Sequence, residues 1–139
     1  MKIVIVTRDF VDLIYNFLND STEISDHFRY FCTRDPKQII SQHVYTIVGI
    51  EEETNKVIAY GHIDYEEKYW LGICVLNSYC GKGHGRQIMD SLLMYADARD
   101  IPLSLSVDID NVPAINMYKK YKFIEKKRTD KILYMNRHI

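Results

Sequence analysis

The chain has 139 residues, of which 47% are apolar, 12% aromatic and 27% charged, with 18 Lys and Arg against 19 Asp and Glu. That length holds one hydrophobic core, and the composition is that of a globular domain rather than a disordered segment. A net charge of −1 argues against a dedicated nucleic-acid binder, and three cysteines without a CxxC pair argue against a disulfide framework or a zinc site. No apolar run reaches the length of a membrane span and no secretory leader is read, so a cytoplasmic protein without membrane attachment is expected. The charge is unevenly spread: residues 1–70 are net acidic by five and residues 71–139 net basic by four. If the folded surface preserves that asymmetry, an anionic ligand prefers the C-terminal half.

In chain order, the β-branched run Ile3 to Val6 predicts a buried strand. Phe10, Leu13, Ile14, Phe17 and Leu18 fall at helical spacing. The segment Asn19–Asp35 has weak periodicity but holds His27, Phe28, Tyr30 and Phe31. Pro36, suited to a first helical turn, opens a second helix to about His43. Strands are predicted at Tyr45–Glu51 and Lys56–Asp64 around a polar turn, then at Trp70–Leu76 after a polar link, Tyr65–Lys68. A glycine-rich loop, Tyr79–Gly85, leads into a helix to about Arg99 with Ile88, Leu92, Leu93 and Ala96 on one face. Leu103–Ile109 reads as a strand and Val112–Tyr121 as a helix that Asn111 introduces or caps. A hairpin closes the chain, Phe123–Lys127 with Ile132–Asn136. The order β-α-α-β-β-β-α-β-α-β-β predicts an α/β (α+β) fold over 1–139, a mixed sheet with helices on both faces.

The loop carries the chemistry. Gly81, Gly83 and Gly85 alternate between a strand and a helix, so successive N–H groups can turn inward around a phosphate at the helix N-terminus. Lys82 and Arg86 add formal charge there. A Walker loop needs Ser or Thr after the lysine, where this chain has Gly83; a dinucleotide fingerprint needs GxGxxG, whereas this is GxGxG.

Tyr79-Cys-Gly-Lys-Gly-His-Gly-Arg resembles the acyl-CoA loop of the GNAT acyltransferase superfamily, Arg/Gln-x-x-Gly-x-Gly/Ala. Downstream, Asn111-Val-Pro-Ala-Ile-Asn-Met-Tyr-Lys-Lys-Tyr-Lys-Phe123 resembles that family's Asn-x-x-Ala-x-x-x-Tyr-x-x-x-Gly-Phe segment. The resemblance spans Tyr45 to Phe123, with two departures: Cys80 stands in place of Arg or Gln, and Lys122 in place of Gly. It implies a mostly antiparallel GNAT-like sheet and an acetyl-CoA-dependent N-acetyltransferase without a metal. It also implies that Ile73, Cys74 and Val75 offer backbone groups to the pantetheine arm. The amides of Gly81, Lys82, Gly83, His84, Gly85 and Arg86 would hold the pyrophosphate. Asn111 and Ala114 would touch the cofactor, and Tyr118 would lie beside the sulfur as the acid for the departing thiolate; plain helix packing is its alternative.

Transfer to an amine needs a neutral nucleophile, and an alkylammonium titrates near pKa ~10. Strand alternation puts Tyr60, His62 and Asp64 on one face, so His62 is read as a base oriented by Asp64, with an exposed strand end as the alternative. Cys80, beside a helix N-terminus, and Cys74 are weighed as covalent acyl carriers against direct transfer. For the acceptor, Phe28 and Tyr30 are read as stacking on a sugar-like ligand, Arg29 as meeting a phosphate and Trp70 as bordering the pocket. An aromatic cluster capping a helix is the structural alternative. The expected acceptor is a small-molecule amine, an amino sugar or its nucleotide-linked form, with a peptide or polyamine as rival and a silent acyl-CoA sensor as a different class. A homodimer is compatible with this reading.

Overall fold

The computed structural model describes residues 1–19 and 21–138; position 20 of the expected acceptor-side segment lies outside them. The strands are β1 Lys2–Ile5, β2 His43–Ile50, β3 Val57–Glu66, β4 Lys68–Val75, β5 Leu103–Asp108, β6 Ile124–Arg128 and β7 Ile132–Arg137. The helices are α1 Asp12–Leu18, α2 Pro36–Ile39, α3 His84–Ala98 and α4 Val112–Lys120. The element order is the one the sequence predicts. The seven strands form one sheet in the order β1-β2-β3-β4-β5-β7-β6, antiparallel everywhere except between β4 and β5.

Alternation along β3 fixes what covers each face. Tyr60 turns toward α1, where its ring lies 5.9 Å from Phe17. Gly61 turns the other way, and a Cβ there would come within 2.6 Å of Ile88 and 3.0 Å of Leu92. Glycine thus lets α3 pack directly on the sheet through Ile88, Met89, Leu92, Leu93 and Ala96, all buried. Each large side chain so buried contributes about 1.5–3 kcal/mol. Arg137 of β7 is buried with its charge satisfied: its guanidinium donates to Asp97 at 2.8 and 3.0 Å and to the Tyr121 carbonyl at 2.9 Å. The β7 end is thereby tied to α3 and to the end of α4.

Three local expectations change. The first helix begins two residues later, after a 3-10 turn at Arg8–Phe10, and leaves Phe10 56% exposed. The second is a single α turn: Asp35 accepts a hydrogen bond from the Lys37 N–H ahead of Pro36, and the chain then tightens into a 3-10 turn over Ile40–Gln42. The polar link Tyr65–Lys68 is a tight hairpin rather than a loop. Glu66 pairs with Lys68 and Tyr65 with Tyr69, around Glu67 at φ 65°.

The feature that makes a site is the β4–β5 junction. These parallel strands share one register pair, Trp70 with Ser104, while β5 stays paired with β7 along its whole length. Beyond Trp70 the β5-side edge of β4 is unpaired, and the sheet opens between Val75 and Asp108. Among the described residues no helix is long and apolar enough to cross a membrane.

Candidate active site

A cleft of about 970 Å³ runs along this opening. Its walls include Ile73, Cys74 and Val75 of β4, Asp108 of β5, and Asn111, Ala114 and Tyr118 of α4. Gly81 and Gly85 line it as well. Lys82, Gly83, His84 and Arg86, expected beside them, are not part of the wall.

The loop from β4 to α3 has the left-handed geometry its glycines allow. Gly81 sits at φ 78° and Gly83 at φ 86°, and no heavy atom lies within 4 Å of a Cβ built on either. Gly83 is the N-cap of α3 and offers no side-chain cap, so the first-turn amides have no side-chain acceptor from that position. Gly85 brings that turn against β4 and α4, with Val75 and Met117 3.7–3.8 Å from its Cβ position. The Lys82 ammonium lies 5.6 Å from the Tyr79 ring centre, and Arg86 is exposed. The His84 Nδ1 is buried without a hydrogen-bond partner among the described residues. Cys80, where the resemblance expects Arg or Gln, turns its thiol back to the Leu76 and Val75 carbonyls, 3.5 and 3.7 Å away.

Asn111 occupies the N-cap of α4 without a side-chain capping bond and faces the cleft. Tyr118 is buried, its ring edge-on to Phe123 at 5.8 Å. Burial, then the neighbouring Cys74, pushes the Tyr118 phenol up, so it stays protonated at neutral pH. Burial likewise pushes the Cys74 thiol up to about 12 and raises that of Cys80, so neither is a thiolate at neutral pH.

The other half of the cleft is bordered by the chain between α1 and α2. Glu23 accepts from the Ser78 N–H and hydroxyl at 3.0 and 2.6 Å, beyond the end of β4. Arg29 donates both arms of its guanidinium to Asp108 at 2.8 and 2.7 Å, and His27 Nδ1 lies 2.8 Å from the same carboxylate. The segment therefore spans the opening, pinned near the ends of both splayed strands. Arg29 bonds, followed by those of His27, hold the Asp108 carboxyl well below the usual carboxylate range.

Phe28, Arg29, Tyr30 and Trp70, the expected substrate contacts, all line the cleft, but each is also engaged within the protein. Arg29 faces the Asp108 carboxylate with both arms while its guanidinium stays 55% exposed. Phe28 and Phe31 pack edge-on against Tyr60 at 5.7 and 5.3 Å, and Tyr30 lies 4.1 Å from His62. The aromatic run is neither a helix cap nor an open stacking platform; it covers the Tyr60 face of the sheet. Trp70 lines the cleft but donates its indole N–H to the Glu66 carbonyl and carries Lys68 4.8 Å from its ring centre.

The expected base also changes character. Tyr60, His62 and Asp64 do share a face, but His62 is 1% exposed. Its Nδ1 lies 2.8 Å from the Tyr60 hydroxyl and its Nε2 3.8 Å from Asp64. Burial, then His43 and Arg34, pulls its pKa well below the usual value. His62 is thus a neutral core imidazole, and an acidic limb near pH 6–7 does not follow from it. Asp64 lines the cleft, and burial raises its pKa.

The residues sequence reasoning missed are His43 and Asp108. The sequence pattern places His43 at the end of a helix, but it opens β2, its ring stacked on His62 at 4.7 Å. Donor atoms of His43, His62 and Asp64 lie within 4.8 Å of one another. The two imidazoles are nearly parallel, 19° apart, so their in-plane lone pairs run side by side rather than converge as a metal would require.

Comparison with known proteins agrees with this architecture. The profile of the Acetyltransferase (GNAT) family matches residues 11–123. An acetyltransferase of the GNAT family from Streptococcus pneumoniae superposes with TM-score 0.80 at 16% identity, covering 99% of each chain. The ribosomal-protein-alanine N-acetyltransferase of Brucella melitensis gives 0.77 at 16% identity, covering 100% of both. The ribosomal-protein-S18-alanine N-acetyltransferase of Escherichia coli gives 0.75 at 18%, covering 99% of this chain and 93% of that one. A search of curated protein sequences gives no significant match.

Proposed function

The chain belongs to the GNAT acetyltransferase family, and from that premise we propose that it moves an acetyl group from acetyl-CoA to the primary amine of a small molecule, directly within a ternary complex. The observation that carries this reading is the single β4–β5 register pair. It leaves backbone groups of Ile73 and Val75 to bind an extended pantetheine arm as a strand would, whereas those of Cys74, in phase with the Leu76 N–H that donates to Ile58, face β3. The left-handed loop at the α3 N-terminus supports the pyrophosphate assignment, since its glycines have open space where side chains would stand.

Acetyl-CoA supplies the acetyl group as a thioester. A backbone N–H near Val75 steadies the carbonyl oxygen as it gains charge. Tyr118, a buried phenol that keeps its proton, donates it to the departing thiolate. Cys74 and Cys80 carry protons at neutral pH, which favours direct transfer over a covalent acyl-enzyme.

On the acceptor side, Asp64, Glu66 and Glu67 line the cleft beside Trp70, which favours a cationic amine on approach. Arg29, engaged by Asp108, is less available to the phosphate of a nucleotide-linked amino sugar, which favours an unphosphorylated amine, an amino sugar first, with a peptide or polyamine as the rival.

The test is a melting measurement with acetyl-CoA followed by thiol release over a panel of amines. At a hundredfold excess over Kd, linkage predicts about 2.7 kcal/mol of stabilisation. Gly83→Val, which forces a β-branched residue to φ 86°, is expected to remove the shift. No shift at millimolar acetyl-CoA refutes the donor. A shift without thiol release from any amine class supports the silent sensor instead.

A further inference from the structure

Resting on the acetyl-transfer reading, we propose that Asp64 is the group that takes the acceptor's ammonium proton, and that Tyr30, held by His43, is the residue that positions it. The argument is a count of protons along one half-buried chain of hydrogen bonds. The Tyr30 hydroxyl donates to Asp64 Oδ2 at 2.8 Å. A phenol has one proton, so toward His43 Nε2, 2.7 Å away, the Tyr30 oxygen can only accept. His43 therefore carries its proton on Nε2, and its bare Nδ1 accepts from the Thr46 hydroxyl at 2.8 Å. Every donor in the series Thr46, His43, Tyr30 points toward one carboxylate. Such aligned donors stabilise a negative charge at a fixed place before any substrate arrives.

The chain fixes only one oxygen. Asp64 Oδ1 is buried and has no hydrogen-bond partner among the described residues, while the side chain, 16% exposed, forms part of the cleft wall. Oδ1 is sealed, so the exposed part of the side chain belongs to its other atoms, and Oδ2, held in place by Tyr30, is the oxygen with a lone pair left for a proton. In the step proposed, an N–H bond of the ammonium breaks, its electron pair stays on nitrogen as the nucleophilic lone pair, and the proton goes to Oδ2. Asp64 passes from −1 to neutral, the amine from +1 to neutral, and Oδ2 still accepts from Tyr30 through its remaining lone pair.

The groups facing Asp64 set its strength. Burial raises its pKa, with Glu66 on the same strand acting in the same direction. Tyr30 and Arg34, from the segment before α2, lower it. The two imidazoles in reach, His43 on β2 and His62 on β3, are both held neutral; burial pulls His43 down to about 4. A carboxylate with a raised pKa is a stronger base than an exposed one. His62, which stacks beneath Tyr30, is packing for this arrangement.

The test follows kcat/KM against pH for the intact protein, Asp64→Asn and Tyr30→Phe, using an amine that the intact protein acetylates. Asp64→Asn is expected to lower kcat by about 10²–10⁴-fold while the acetyl-CoA melting shift is retained. Tyr30→Phe keeps the ring packed on Phe31 and His62 and removes only the donor. Its acidic limb is expected to move up by about 1–2 pH units, the worth of a hydrogen bond to a charged group. A Tyr30 that merely packs would leave the limb in place. An unmoved limb in Tyr30→Phe, or full kcat in Asp64→Asn, overturns the proposal. If the intact protein binds acetyl-CoA but acetylates no amine, the acetyl-transfer reading itself fails, which is a different result.

Discussion

Asp108→Asn tests how the segment between α1 and α2 is held across the cleft. The substitution keeps the shape of the side chain and removes its charge, so Arg29 exchanges a bidentate ionic contact for one amide oxygen. The carboxylate is 15% exposed and the guanidinium 55%, which makes this a half-screened pair. Two charge-assisted bonds in a dry site would be worth more, and an exposed pair about 0.2–1 kcal/mol, so about 1–2 kcal/mol is expected here. That converts to roughly a 5–30-fold larger open population of the segment. Amide hydrogen exchange over residues 24–31 reads this directly, because local opening sets the rate. Exchange in α3 is expected to stay unchanged, since its packing against β3 does not involve Asp108. The acidity adds a second arm. The folded pKa of Asp108 is depressed, so its contribution is fully present above the unfolded value of about 3.9 and fades as pH falls through the lower folded value. The Asp108→Asn difference in exchange is therefore expected to hold from pH 5 to 8 and to shrink only in strong acid. Equal exchange of residues 24–31 in both proteins at neutral pH would refute the pinning.

Tyr118→Phe is expected to lower turnover at least about a hundredfold while the acetyl-CoA melting shift survives, because only a hydroxyl is lost. Full turnover with the chemical step shown to be rate-limiting would remove Tyr118 from the acid role. Leu92→Ala deletes a side chain with 0% exposure between α3 and the sheet and is expected to cost about 2–5 kcal/mol in denaturant unfolding. A loss below about 1 kcal/mol would mean that α3 relaxes into the space, contrary to the close packing at Gly61.

Much of the fold was legible because its information is local. The β-branched runs, the apolar stripe of α3 and the alternate glycines each depend on residues a few positions apart. The β3–β4 hairpin was not, for a specific reason. Its turn residue is Glu67 in a left-handed conformation that sequence rules reserve for Gly and Asn. What holds the turn is a cross-strand pair, Tyr65 against Tyr69 at 4.9 Å, which encloses the pair Glu66 and Lys68. Four polar and aromatic residues in a row read as a loop, since nothing in them reveals that they face each other.

The site divides along the same line. The loop glycines and the Asn111–Tyr118 spacing are local patterns, and the structure brings Gly81, Gly85, Asn111, Ala114 and Tyr118 to one cleft. The ionisable partners are not local: Arg29 and Asp108 are 79 residues apart, and Tyr30 and Asp64 are 34 apart. Strand alternation shows correctly that His62 and Asp64 share a face, but it is silent about what lies over that face. The cover decides the chemistry. Phe28, Tyr30, Phe31 and His43 close over Tyr60 and His62, which makes the histidine neutral and leaves the carboxylate, two residues further along, at the cleft wall. Read from the strand alone, the imidazole is the base and the carboxylate its support. With the covering layer in place the order inverts, because a group sealed among aromatic rings loses its charge, whereas one supplied with aligned donors keeps it.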